Sequence, residues 1–490
     1  MKEKMFSLKI NALLNGLRQI CAIIFPLITF SHVAKTLGKE AYGDYSFTLS
    51  VINYFILIAG VGINTYSIRE GIQYKRSEKD FNKFCSEIFS INVYSSIIAL
   101  TTLVAVIFIS DRLKQMFTLL FIESFSIVLI LIGTDWINNI MEDYLYLTIR
   151  YIIIQVVTMI ITFLTITNEK DIYTYAIISV VAMYGGNLIN IRHIRKKVKV
   201  SFNTNINKRH VMPLVILFIN SIAITIYVNS DITMLGFLSS RQTVGEYSFS
   251  SKLYNSAKQV INAFVIVTLP RIASVINDRT RFNNYIKKIF HGILLILLPA
   301  VLLMFILRKE IIIFLGGISY TNSSTIFGIL CLAIVFAILS SLISNDILIV
   351  NRQDKKCLIS TLISAGTNIT LNFIFIPYFS MYATAVTTVI AEASSFIIQF
   401  RYSKKYFDYR VLDLKKVIPC IVGNIILCCI AIIVRNWSRV VMMGYLPSIL
   451  LTSMCAVLIY GGTLILCKDE VVIDFLSLFK LRLYNYFVKR

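Results

Sequence analysis

Three basic residues, Arg18, Lys252 and Lys258, lie inside stretches of the chain that are otherwise apolar. A guanidinium grips two phosphate oxygens in a fork and an ammonium binds as a point charge, so cations placed there suit a phosphate-bearing ligand. Polar neighbours recur beside them at helical spacing: Asn11, Asn15 and Arg18 in one stretch, and Lys252, Asn255, Gln259 and Asn262 in another. Steps of three and four keep each set on one side of its helix. Lys258 is six residues from Lys252, about 120° around a helix, so the two can reach one broad cavity but not one stripe. Arg18, Asn15, Lys252, Lys258, Asn255 and Gln259 are therefore the candidate substrate-binding residues. A third set, Thr388, Glu392, Ser395 and Gln399, brings a carboxyl. Asp231 and Glu392 are the candidate ion-coupling residues, because a carboxyl in low dielectric has a raised pKa and can carry a proton or hold sodium. Glu123, Asp135 and Asp346 are further acids in apolar surroundings. Two structural readings compete: Asn and Gln commonly join packed helices, and Asp231 has a depth similar to that of Lys252, so the two could form an ion pair.

These side chains need a frame that carries them through hydrocarbon. Of 490 residues, 57% are hydrophobic and only 15% charged, with mean hydropathy +0.75, far above what a soluble surface carries. A spanning helix takes ~20 apolar residues. About fourteen stretches qualify: 10–33, 45–68, 85–109, 116–137, 146–167, 172–191, 211–237, 247–270, 287–307, 324–350, 357–377, 382–402, 417–435 and 444–466. The chain is thus expected to be an all-α polytopic membrane protein with no sizeable soluble domain. Its nine cysteines form no CxxC, its four histidines are scattered without an HExxH, and no GxxxxGK[ST] occurs. Metal catalysis and nucleotide hydrolysis by that route have no support, and no cofactor is expected. Residues 1–30 read as a retained first helix, since Arg18 interrupts the apolar run and no small-residue cleavage site follows.

The net charge of +22 follows topology. With the N-terminus inside, the inner segments hold 35 basic residues and the outer loops 10. Both termini and the loop from Arg192 to His210 are then expected in the cytosol. Nucleic-acid binding is not implied.

That loop divides the chain after six spans, and the two halves repeat weakly. Tyr42-Gly43-Asp44-Tyr45-Ser46-Phe47 aligns with Val244-Gly245-Glu246-Tyr247-Ser248-Phe249, and Arg69 with Arg271, all at an offset of 202 residues. Six spans between copies give both the same orientation, so two parallel six-helix lobes around a central cavity are expected, plus two extra helices. The expected divisions are an N-lobe at 1–200, a C-lobe at 201–410, two further helices in 411–467 and a cytosolic amphipathic tail at 468–490. That tail mixes Phe475, Leu478 and Phe479 with Lys480 and Arg482, the pattern of an interfacial helix.

Four groups of residues resemble the polysaccharide repeat-unit flippases of the multidrug/oligosaccharidyl-lipid/polysaccharide exporter superfamily. They are Asn11, Arg18 and Pro26 leading to Leu37-Gly38-Lys39-Glu40-Ala41-Tyr42-Gly43; Asp135-Trp136 with Arg150; Asp231-Ile232-Thr233-Met234-Leu235-Gly236; and Leu371-Asn372-Phe373-Ile374-Phe375-Ile376-Pro377. The resemblance runs over roughly residues 5 to 405. The turn Tyr378-Phe379-Ser380-Met381-Tyr382-Ala383 departs from the glycines usual there. The resemblance implies transport of an undecaprenyl-diphosphate-linked oligosaccharide from the inner to the outer leaflet of a bacterial plasma membrane, by alternating access. The implied partners are that lipid-linked glycan, membrane lipids and other polysaccharide assembly proteins. A peptidoglycan-precursor lipid flippase differs only in the headgroup carried. A cation-coupled drug antiporter of the same superfamily is disfavoured by Arg18, Lys252 and Lys258, and a polymerase by outer loops of about sixteen residues at most.

Overall fold

The computed structural model describes residues 8–203, 207–409 and 417–473, except the side chains of residues 8–13, 15, 20 and 220. The side chains of Asn11 and Asn15, the middle of the Arg192–His210 loop and residues 474–490 of the expected tail lie outside the described residues. All regular structure among the described residues is helical. The α-helices are α1 (Leu8–Gly60), α2 (Ile63–Tyr74), α3 (Glu78–Ile109), α4 (Asp111–Gln115), α5 (Phe117–Gly133), α6 (Asp135–Met141), α7 (Tyr144–Thr165), α8 (Ile172–Tyr184) and α9 (Gly186–Arg195). They continue with α10 (Lys208–Leu238), α11 (Arg241–Val275), α12 (Arg279–Ile306), α13 (Arg308–Gly316), α14 (Ser323–Leu342), α15 (Asp354–Ser403), α16 (Ile418–Val440) and α17 (Tyr445–Leu466). A π-helix, Ile343–Ile349, prolongs α14.

Twelve helical segments among the described residues are long and apolar enough to cross a membrane. Ten match one expected span each, and two cover two spans apiece because each contains a sharp break. In α1 the break is Gly38, at φ 71° and ψ 174°, a conformation that glycine adopts without a Cβ clash. In α15 it is Ser380, at φ 52° and ψ −129°, a positive φ borne by an L-residue where the sequence departs from glycine. Another break, Thr134 at φ 44°, ends α5 and starts α6, which places Asp135 in a first helical turn where the helix dipole favours an acid.

The polar turns cap the helices they join. Ser77 accepts from the backbone N–H of Asp80 to start α3, Asn207 accepts from that of Arg209 to start α10, and Asp278 accepts from that of Arg281 to start α12. Large apolar side chains such as Ile153, Leu164, Phe373, Ile425 and Leu458 remain exposed along the long helices, as surfaces facing lipid require.

By internal contact the chain forms two compact units, Met1–Ser248 and Phe249–Arg490. In the first, α1 packs against α3, α5, α7 and α10, and an apolar cluster of Tyr66, Phe84, Ile88, Trp136, Ile140 and Leu214 ties α2, α3, α6 and α10 together. The packing of α10 on α1 puts residues 208–238 in this unit, whereas the lobe division expected from the sequence repeat falls after residue 200. In the second unit, α14 packs along α15, and α16 and α17 pack on each other, with α16 also on α12, around a cluster of Leu295, Cys420, Leu427, Tyr460 and Leu464. His291 of α12 meets Asp469 at 2.7 Å, just past α17.

Candidate functional site

In the first unit a cavity of about 480 Å³ is lined by Arg18, Asn64, Asn92, Asp135, Asn139 and Ser221, with apolar residues between them. Arg18 is half-buried on its wall, and among the described residues no ion pair to it is found. Asp135, on the same wall, is engaged. Arg150 donates to both its oxygens at 2.8 and 2.7 Å, and Asn190 donates to one at 3.0 Å. Asn138 in turn donates to Asn190 at 2.8 Å. Arg150 also lies 5.4 Å from the ring centre of Tyr146, which stacks on His193 at 3.7 Å.

The stack ends at Asp143, which meets His193 at 2.7 Å and Lys197 at 3.0 Å. Burial alone would raise this carboxyl's pKa. The hydrogen bonds and charges of His193 and Lys197 outweigh it and hold Asp143 below the usual carboxylate range. The result is a polar cavity holding a guanidinium with no ion pair among the described residues, beside a network of Arg150, His193 and Lys197 that engages Asp135 and Asp143. Such a surface can receive an anionic headgroup and sugar hydroxyls that hydrocarbon would reject.

At another place in this unit, the residues around the sequence repeat meet in reciprocal pairs. Lys39 donates to Glu246 at 3.0 Å, and Arg241 clamps Asp44, its Nε at 2.8 Å from Oδ1. Lys39 and Arg241 are 202 residues apart, as are Asp44 and Glu246. Gly43 and Gly245, related by the same offset, allow the crossing: a Cβ on Gly43 would collide with the carbonyl oxygen of Arg241, and one on Gly245 with that of Lys39. The four charged residues were absent from the sequence-based candidates. The signal that could have found them begins three residues before the aligned segments, where Lys39 and Arg241 each precede by five positions the acid inside the segment.

In the second unit the structure joins two candidates given separate roles. Lys258 donates to Glu392 at 3.0 Å, Tyr254 donates to the same oxygen at 2.8 Å, and the ammonium lies 4.9 Å from the Tyr254 ring centre. On the stripe that runs through α11, Lys252 and Gln259 are exposed, and Asn255 is half-buried, donating to Ser251 at 3.3 Å. The α15 stripe is buried throughout: Ser395 shares a hydrogen bond with Ser340 at 3.1 Å, and Gln399 donates to Ser360 at 3.0 Å. Ser395 and Gln399 act as joints between helices. Asp231, in the first unit, accepts from Tyr247 at 2.6 Å. The expected pairing of Asp231 with Lys252 would join residues of different units.

Long apolar helices holding a polar cavity and buried ion pairs define a polytopic membrane protein of the transporter type. Its relatives agree. The chain belongs to the polysaccharide biosynthesis protein family, whose model matches residues 8–276, more than half of its length. It is 23% identical over 416 residues to the "Putative O-antigen transporter" of Escherichia coli (strain K12), spanning 83% of this chain and 99% of that protein. In structure it is similar to the lipid II flippase MurJ in an inward closed conformation, with a TM-score of 0.73 and 20% identity over 94% of this chain and 100% of the other. It is also similar to an inward-facing multidrug resistance MATE family transporter of the MOP superfamily, with a TM-score of 0.61 and 13% identity over 80% of this chain and 95% of the other. The fold is therefore that of MOP-superfamily transporters.

Proposed function

We propose that the protein is a flippase that moves an undecaprenyl-diphosphate-linked oligosaccharide repeat unit from the inner to the outer leaflet of a bacterial plasma membrane, by alternating access. The observation that carries this reading is the cavity of the first unit, in which Arg18 stands without an ion pair among the described residues and is surrounded by amide and hydroxyl side chains. A guanidinium in that setting grips a pyrophosphate, and the amides serve sugar hydroxyls. Family membership and the resemblance to an O-antigen transporter support the same substrate class. Lys252, Asn255, Gln259 and Asn15 are likewise proposed to contact the substrate. Lys258 does so only through its partnership with Glu392, so that Lys258, Tyr254 and Glu392 move as one unit. Asp231 and Glu392 are proposed to couple transport to an ion gradient. The membrane potential aids the same direction, because moving one charge through 100 mV is worth about 2.3 kcal/mol and the inside-negative potential drives an anion outward.

Both termini are proposed to be cytosolic. Reporter fusions at Asn205 and Ser319 should show opposite sidedness, and the same side for both would sink this topology. The test of substrate is complementation in strains lacking either the O-antigen flippase or the lipid II flippase. Rescue of the first alone is expected, whereas rescue of the second alone would move the protein to the peptidoglycan precursor.

A further inference from the structure

Seven acids are buried among the described residues: Asp44, Glu123, Glu246, Glu310, Asp346, Glu392 and Asp469. Five face a basic side chain, namely Arg241, Lys39, Arg435 with Arg439, Lys258 and His291. Glu123 and Asp346 do not; each meets only a threonine, Thr48 at 3.1 Å and Thr268 at 2.9 Å. Asp346 is fully buried, and its Oδ1 has no hydrogen-bond partner. An ionised carboxylate cannot rest unpaired in such a place, so the group must be neutral there.

The hydrogen-bond count is compatible with a neutral carboxyl. Thr268 Oγ1 is 2.5 Å from the carbonyl oxygen of Val265 and 2.9 Å from Asp346 Oδ2. A hydroxyl has one proton. When it goes to Val265, the contact with Asp346 is a hydrogen bond only if the carboxyl donates.

The charged and titratable groups on neighbouring elements are committed elsewhere. On α15, Cys357 takes a hydrogen bond from Ser344, Lys356 lies over the Tyr402 and Tyr406 rings, and Asp354 and Lys355 are exposed. On α11, Arg271 is exposed and Lys258 is paired with Glu392. α14 itself carries no charged residue. What separates Asp346 from Glu123 is the backbone. Glu123 sits within the regular helix α5, whereas Asp346 lies on the π-helix 343–349, a widened turn of the rare kind that is frequent at functional sites.

The geometry points to Asp346 as a proton-carrying residue of the transport cycle: it takes a proton from water when its turn is open, and buries it in the arrangement seen here. Opening returns the proton to water and leaves a carboxylate. Its role in transport rests on the flippase reading above; its protonation does not.

The test has two arms. Purified full-length protein in lipid nanodiscs, labelled with ¹³C at the aspartate carboxyls, is titrated with pH by infrared spectroscopy. A protonated-aspartate carbonyl band is expected at neutral pH, lost in Asp346→Asn and shifted in Thr268→Val, the second variant serving if the first does not fold. In proteoliposomes, Asp346→Asn should lose at least tenfold of the pH-gradient-driven movement of undecaprenyl-diphosphate-linked oligosaccharide while keeping gradient-free exchange. Absence of the band from the wild-type protein, or full gradient-driven movement by Asp346→Asn, overturns the proposal. If the band is present but the wild-type protein moves no lipid-linked glycan, the proton site stands and the flippase reading falls.

Discussion

Arg18 in the first unit and Lys258 in the second are both basic residues within apolar helices, yet their surroundings differ. Arg18 opens on a cavity of amides and hydroxyls, while Lys258 is tied to Glu392 and Tyr254. The helical breaks differ as well: the first unit bends at Gly38 and the second at Ser380. A cation within a membrane span is therefore a candidate ligand contact only after its local acids have been counted. A break tells of strain only when the residue's own stereochemistry opposes it.

The strongest test of this contrast is substitution of Arg18. Arg18→Ala should reduce export ten- to hundredfold with membrane abundance intact, as the ~1.5–3 kcal/mol of charged hydrogen bonds implies. Arg18→Lys should retain part of the activity, since one ammonium replaces a fork. Normal export by the alanine variant would remove Arg18 from the site, and equal loss of protein would make it structural.

The tied cation should behave in the opposite way. Lys258→Gln or Glu392→Gln alone leaves a charge without its partner, at a cost of up to about 3–5 kcal/mol. Lys258 is 29% exposed, which favours the lower end. The double variant should recover thermal stability and abundance, and simply additive losses would dissolve the pair.

A smaller effect compares the breaks. Ser380→Gly relieves a positive-φ strain of ~1–3 kcal/mol against an entropic cost of ~0.5–1 kcal/mol, so a net gain of about 1 kcal/mol is expected. Thermal unfolding should show a higher midpoint; a lower one would mean that Ser380 is not strained.

The smallest effect concerns Glu310, outside the apolar spans. Burial would raise its pKa, but hydrogen bonds and charge from Arg435 and Arg439 hold it below the ordinary carboxylate value. A depressed folded value means that this contribution is complete above the unfolded pKa of ~4.3 and is lost as pH falls through the folded value. Glu310→Gln should flatten that part of the acid stability curve, and an unchanged curve would show the clamp to be inert.

By itself, the sequence determined the class of protein and where its apolar helices run along the chain. Apolar runs of spanning length and the bias of basic residues are local properties, and hydrocarbon enforces them segment by segment. The repeat at 202 residues was legible too, with Gly43 and Gly245 inside it, but the reciprocal pairing of Lys39, Asp44, Arg241 and Glu246 was not. Only the tertiary structure decided which polar residues were already satisfied. Lys258 and Glu392 are 134 positions apart, and Asp346 and Thr268 are 78 apart. Nothing in a helical period states which stripe will face its neighbour. The stripes of α11 and α15 share the helical period, but one remains largely open and the other is buried, because burial depends on the helices packed beside them. The π-helix at Asp346 was equally hidden, since an i→i+5 turn leaves no mark in composition and arises where packing shifts the helical register.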